Sequence, residues 1–182
     1  MAAGITRGTQ KHPGCGVTVK HFVCNNQETN RFRSNSVVSQ RALRDIYLKG
    51  FEIVIKEAAP LAVMSSYNLV NGEHTSQRYD LMETVLREEW GYEGIVMSDW
   101  VTNGMVSDDG RRYPSACASG SIKAGNDIMM PGGRGHYEDM ESALHDASVQ
   151  YPLSRAELEK CAARMIAMAI NLRKDGDEIN ED

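Results

Sequence analysis

Gly94-Ile95-Val96-Met97-Ser98-Asp99-Trp100 is a short apolar run that ends abruptly in a carboxylate and then an aromatic. A β-branched pair such as Ile95-Val96 inside so short a run reads as a buried strand. Strands of this kind belong mostly to parallel sheets covered on both faces. An acid at the C-terminal end of such a strand stands where α/β barrels gather their catalytic groups. Asp99 is therefore the first candidate for chemistry.

Three further runs share this grammar: Gly16-Val17-Thr18-Val19-Lys20-His21-Phe22, Leu61-Ala62-Val63-Met64-Ser65-Ser66-Tyr67-Asn68 and Asn126-Asp127-Ile128-Met129-Met130-Pro131-Gly132. The last keeps polar residues on both sides and is the weakest of the set. Helical patterns lie between the runs. Ser39 can cap a helix to about Glu57, with Leu43, Ile46, Tyr47 and Phe51 on one face. Ser76 can cap the next, where Leu81, Met82, Val85, Leu86 and Trp90 form a stripe and Gly91 marks the stop. A short helix is expected from Ser115 through Lys123, closed by Gly125. Ser154-Arg155-Ala156-Glu157 fits a capping box, followed by Leu158, Cys161, Ala162, Met165, Ala169 and Leu172 at helical spacing.

Alternating strands and helices predict right-handed βαβ units and a parallel sheet. The expected fold is α/β, with about four (β/α) units forming roughly half of a TIM-type barrel, since a complete one takes about 250 residues. Residues 1–172 would form this partial barrel, and residues 173–182 an acidic linker or tail. Half a barrel leaves two open sheet edges. Self-association of two chains as a homodimer would cover them, as would Met1 to about Pro13 folding back over one edge.

The 182 residues are 41% hydrophobic and 25% charged, with a formal net charge of −5. That is ordinary globular composition. Lys and Arg are scattered without a basic block, which argues against nucleic acid as a partner. No apolar run approaches the ~20 residues of a membrane helix. The start lacks the apolar core of a signal peptide, so a cytoplasmic location is expected, with secretion left open if the N-terminus is truncated. Cys15, Cys24, Cys117 and Cys161 form no C-x-x-C pair, so no zinc or redox site is expected and the thiols read as free and buried.

If the strands are parallel, Lys20 and His21, Tyr67 and Asn68, and Asp99 and Trp100 end on one rim. That gathers a carboxylate, two groups able to carry positive charge, a phenol and an indole. A sugar site needs this mixture: charged and amide groups bond hydroxyls, and an aromatic face covers the C–H side of a ring. A carboxylate beside the anomeric carbon can act as nucleophile or stabilise an oxocarbenium-like transition state.

At these residues the chain resembles glycoside hydrolase family 3. Lys20-His21-Phe22-Val23-Cys24-Asn25-Asn26-Gln27-Glu28-Thr29-Asn30-Arg31 looks like the family's sugar-binding motif. Ser65-Tyr67-Asn68 with Asn71-Gly72 is similar to its next strand end, Gly94 to Trp100 to its nucleophile motif, and Lys123 to Gly132 to its last barrel strand. The four stand in family order over roughly residues 1–172. The resemblance implies that Asp99 is the nucleophile of a retaining β-glycosidase, forming a covalent glycosyl-enzyme intermediate. It implies that Lys20, His21 and Arg31 bind sugar hydroxyls, that Tyr67 lies close to the nucleophile, and that Trp100 makes an apolar wall. It implies a β-glucoside or oligosaccharide substrate, with no metal and no organic cofactor.

The loop Val23-Cys24-Asn25-Asn26-Gln27-Glu28 lacks the Gly- and His-containing sequence of the β-N-acetylglucosaminidase branch, and Trp100 argues against the β-xylosidase branch. The β-glucosidase branch is the better match. The first barrel strands of relatives, and the flanking domain that supplies the acid/base glutamate, have no counterpart in these residues. A catalytically incomplete half-barrel module that folds or oligomerises without turnover is therefore the alternative reading.

Each candidate also has a plain structural explanation. Asp99 alone could be a turn aspartate, His21 a buried structural histidine, Arg31 a surface residue and Tyr67 a core aromatic. Glu28 is expected to orient Arg31 or Lys20. Asp108-Asp109-Gly110 reads as a turn. Asp127 is expected to bond backbone, and the methionines to fill the core. His12, His74, His136 and His145 show no ligand spacing and read as solvated.

Overall fold

A computed structural model describes residues 1–100, 113 and 115–177. Three strands, β1 (Thr18–Phe22), β3 (Ala62–Ser65) and β6 (Ile95–Met97), form a parallel sheet in the order β1-β3-β6. Thr18 faces Ala62, and Ala62 faces Ile95. The fourth expected run makes only one parallel bridge, Met97 to Ile128. Asn126 and Asp127 explain this, because their side chains are spent on hydrogen bonds to neighbouring elements rather than on apolar packing.

The outer face of the sheet is apolar and covered by helices. Phe22, Val63 and Val96 pack with Leu43, Leu48, Leu81, Met82 and Leu86, all nearly or fully buried. Each such side chain contributes on the order of 1.5–3 kcal/mol. Phe51 meets Phe22 edge-on at 5.0 Å. The helix starting at Ser39 is capped as expected, Ser39 Oγ accepting from the Ala42 amide. It is not one regular helix, however. α2 (Gln40–Ala42) passes into a π-turn, Leu43–Tyr47, before α3 (Lys49–Ala58). The wider turn bonds Leu48 N to Leu43 O and brings those two leucines onto the buried face. Ile46, expected in that stripe, is left 67% exposed.

The next helix also starts differently. Ser76 does not cap it: Thr75–Gln77 form a short 3₁₀ turn, and a π-wound helix begins at Asp80 and runs to Glu89. Its stripe Leu81, Met82, Val85 and Leu86 is buried as the spacing predicts. α4 (Ala118–Ala124) is capped by Cys117, whose Sγ accepts from the Gly120 amide, and not by Ser115. Gly125 ends it at φ +111°, and a Cβ there would sit 2.8 Å from Glu83 Oε1.

Two features have no counterpart in the sequence reading. A small second sheet pairs β2 (Asn35–Ser36), β4 (Leu69–Val70) and β5 (Glu73–His74). An amphipathic helix, α5 (Arg134–His145), packs on α4. α6 (Arg155–Asp177) is capped by the expected Ser154–Glu157 box and continues past residue 172. The segment 1–13 carries α1 (Ala2–Thr9), which lies on α3, with Arg7 bonded to the Glu57 carbonyl. Gln10 then accepts from the amides of Val17 and Leu61, pinning the entries to β1 and β3 together.

The four cysteines are free, but only Cys24 and Cys161 are buried; Cys15 is exposed and Cys117 half-buried. His74 is buried against the Tyr67 carbonyl and His136 is half-buried, so the expectation of solvated histidines holds only for His12 and His145. The expected turn at Asp108-Asp109-Gly110 lies outside the described residues. No described helix is long and apolar enough to cross a membrane.

Candidate active site

Parallel strands place their C-terminal ends on one rim, and Asp99 stands at the end of β6. Its segment is held from both sides. Ser98 donates from its amide to the Ile128 carbonyl at 3.0 Å. Ser98 Oγ accepts from the Met130 amide at 2.9 Å and donates to the Asp99 carbonyl. The Trp100 amide donates to Asp99 Oδ1 at 2.7 Å, which fixes that oxygen. The Asp99 side chain is 8% exposed.

Asp99 Oδ2 lies 3.4 Å from His21 Nε2, at the end of β1. Burial lowers the His21 pKa from its ordinary value, helped by the Lys20 and Arg31 charges and opposed by Asp99. The imidazole is therefore neutral at pH 7 and can offer a hydrogen bond rather than a full charge. Tyr67, just past β3, donates to the Trp100 carbonyl at 2.7 Å, and its hydroxyl also reaches the Asp99 carboxylate. Burial and the Asp99 charge push its pKa up to about 12, so the phenol stays protonated and remains a donor.

Arg31 reaches the rim from the loop after β1. Its guanidinium lies 4.7 Å from the Tyr67 ring centroid and 5.3 Å from that of Phe32. Glu28 accepts from Arg31 Nη1 at 2.8 Å, so of the two partners expected for it, Arg31 is the one it meets. Trp100 is 51% exposed at the edge of this cluster. Lys20 is exposed, and its side chain makes no hydrogen bond or ion pair among the described residues. Five of the six candidates therefore converge; Lys20 adjoins them through His21.

Sequence reasoning missed Ser98 and Phe32. Ser98 is a small polar residue between strand and carboxylate, where only a side chain that both accepts and donates can tie two strand ends together. Phe32 adjoins Arg31 and packs on Tyr67, the ring centroids 4.3 Å apart and the planes tilted by 49°. No group of three or more His, Cys, Asp or Glu side chains among the described residues is arranged to hold a metal ion.

The family model described as the Glycosyl hydrolase family 3 N terminal domain matches residues 1–168. The chain belongs to glycosyl hydrolase family 3. Beta-glucosidase B of Emericella nidulans is 46% identical over 132 residues, which are 72% of this chain and 14% of that protein. An exo-alpha-(1->6)-L-arabinopyranosidase of Bifidobacterium longum is 45% identical over 130 residues, 71% of this chain and 16% of that protein. The structure of beta-glucosidase 3B from Thermotoga neapolitana in complex with glucose superposes with a TM-score of 0.82 at 39% identity, over 96% of this chain and 23% of that one. This family 3 chain thus spans between 14% and 23% of the length of these relatives.

Proposed function

We propose that the chain is the nucleophile-bearing part of a retaining β-glucosidase, its strands forming half of a TIM-type barrel. The observation that carries this reading is the convergence of His21, Tyr67 and the Trp100 amide on a single strand-end carboxylate, Asp99. Oδ1 is held by the backbone, so Oδ2 is the oxygen turned toward a substrate's anomeric carbon. In the first step the Asp99 Oδ2–C1 bond forms and the C1–O bond to the leaving group breaks, its electron pair departing with the leaving group. Water then attacks C1 and breaks the C1–Oδ2 bond, freeing the sugar and restoring the carboxylate, while the proton it releases balances the departed leaving-group anion through solvent. The protonated Tyr67 and neutral His21 would orient the carboxylate without neutralising it. Arg31 and Lys20 would bond ring hydroxyls, and Trp100 would cover the C–H face of the ring.

The Bifidobacterium relative favours an L-arabinopyranosyl glycone as a second reading of the same site. A catalytically incomplete module, waiting on a second copy or on flanking domains, is the competing reading of the chain as a whole. The test uses an activated 2-fluoro-β-glucoside, whose leaving group departs without acid help. Intact mass should show one adduct on wild type and none on Asp99→Ala. An arabinopyranosyl analogue that labels faster would transfer the assignment to that sugar. No adduct with either reagent would leave the incomplete-module reading standing.

A further inference from the structure

Among the described residues, Glu28 is a carboxylate tied to this rim that the proposed reaction does not use. Both of its oxygens are engaged: Asn25 Nδ2 donates to Oε1 at 3.2 Å, and Arg31 Nη1 donates to Oε2 at 2.8 Å. That leaves it poorly suited to move a proton to or from a substrate. Its side chain is 70% exposed, so the ion pair itself adds little stability. What the pair does is geometric. The segment is folded locally, with the Arg31 amide bonded to the Glu28 carbonyl and the Arg33 amide to the Asn30 carbonyl. Within that turn, Glu28 grips one end of a guanidinium whose central carbon already lies near two aromatic rings.

A guanidinium carries five N–H donors in a fixed fork. Arg31 commits one nitrogen to Glu28, and the Tyr67 and Phe32 rings restrict where the rest can lie. Tyr67 is the same residue whose hydroxyl reaches Asp99. Asn25, Glu28, Arg31 and Tyr67 therefore form one connected path from the loop after β1 to the carboxylate.

We infer that Glu28 is a positioning residue that holds the Arg31 fork against Tyr67 so that its remaining N–H groups face the sugar. The inference rests on the proposed sugar site and sharpens it, since it assigns substrate grip to a residue that touches no substrate. Losing Glu28 frees Arg31 to follow solvent, while Asp99, His21 and Tyr67 keep their own bonds. Binding should therefore suffer and the chemical step should not.

Two readouts test this separately. In wild type the Arg31 δ-methylene protons should be shifted upfield in the NMR spectrum by the Tyr67 and Phe32 rings, and Glu28→Ala should move them toward ordinary arginine values. In trapping kinetics with the activated 2-fluoro-glucoside, Glu28→Ala should raise KI about tenfold, as expected for a lost charge-assisted bond, with kinact changed by no more than about twofold. Glu28→Gln keeps an acceptor for Arg31 and should fall between the two. Unchanged Arg31 resonances in Glu28→Ala would overturn the clamp, and an unchanged KI would overturn its link to substrate. Wild type that forms no adduct but shows the Arg31 shift would contradict the sugar-site reading and leave the clamp itself supported.

Discussion

Asp99 and Asp127 are close to equally buried, at 6% and 7% exposed, yet their surroundings differ in kind. Asp127 Oδ2 accepts from Arg87 Nη2 at 2.7 Å and from the Val96 amide at 2.8 Å, and Oδ1 accepts from Arg164 Nη1 at 3.0 Å. Glu83 joins the cluster through Arg164 and Lys160. Two guanidinium groups thus neutralise Asp127 and tie α6 to the sheet. Asp99 instead meets a neutral imidazole, a protonated phenol and a backbone amide. The first environment uses a buried carboxylate as a strut. Among the described residues, the second holds a carboxylate through neutral donors, the setting that the proposed nucleophile role requires.

The contrast is sharpest in stability. Asp127→Ala would leave Arg87 and Arg164 facing each other without their shared carboxylate and should cost about 3–5 kcal/mol, read from urea denaturation. Asp99→Asn keeps an acceptor for the Trp100 amide and should change stability by about 1 kcal/mol or less, while abolishing adduct formation. Equal destabilisation by the two substitutions would erase the distinction between strut and nucleophile.

Smaller effects probe how Asp99 is oriented. Tyr67→Phe removes a donor that reaches both the carboxylate and the Trp100 carbonyl, and should slow trapping about tenfold with the fold intact by circular dichroism. The smallest effect is a pH dependence. Burial holds the folded pKa of His21 below the unfolded value, so between the two the unfolded chain binds the proton and the native chain does not. Stability therefore declines as pH falls below about 6.5 and levels off once native His21 is protonated. His21→Asn should remove this component, so the melting-temperature gap between variant and wild type should shift in the variant's favour on going from pH 8 to pH 5. A gap that stays constant would contradict a buried neutral imidazole beside Asp99.

How much of this was legible beforehand depended on what kind of signal each residue carried. Apolar runs ending in polar groups marked β1, β3 and β6, because burial on one side and a rim on the other leave that trace in order along the chain. The proximity of Asp99, His21 and Tyr67 on one rim was legible for the same reason. The π-turn at Leu43–Tyr47 was not legible, since an i→i+5 turn changes which residues share a face without changing their hydrophobicity; Ile46 and Leu48 exchanged places as a result. The cluster of Glu83, Arg87, Asp127 and Arg164 was also invisible, because it joins three separate elements and no local spacing announces it. α5 escaped notice because its Gly-rich start and only one fully buried residue, Ala143, give a weak stripe.

The most direct test of the account is to trap the chain with the activated 2-fluoro-glucoside, digest it and locate the label by fragmentation. The contrast between the two aspartates predicts a single ester on Asp99 and none on Asp127 or Glu28. A label on another carboxylate, or an Asp99→Asn chain that labels as fast as wild type, would contradict it.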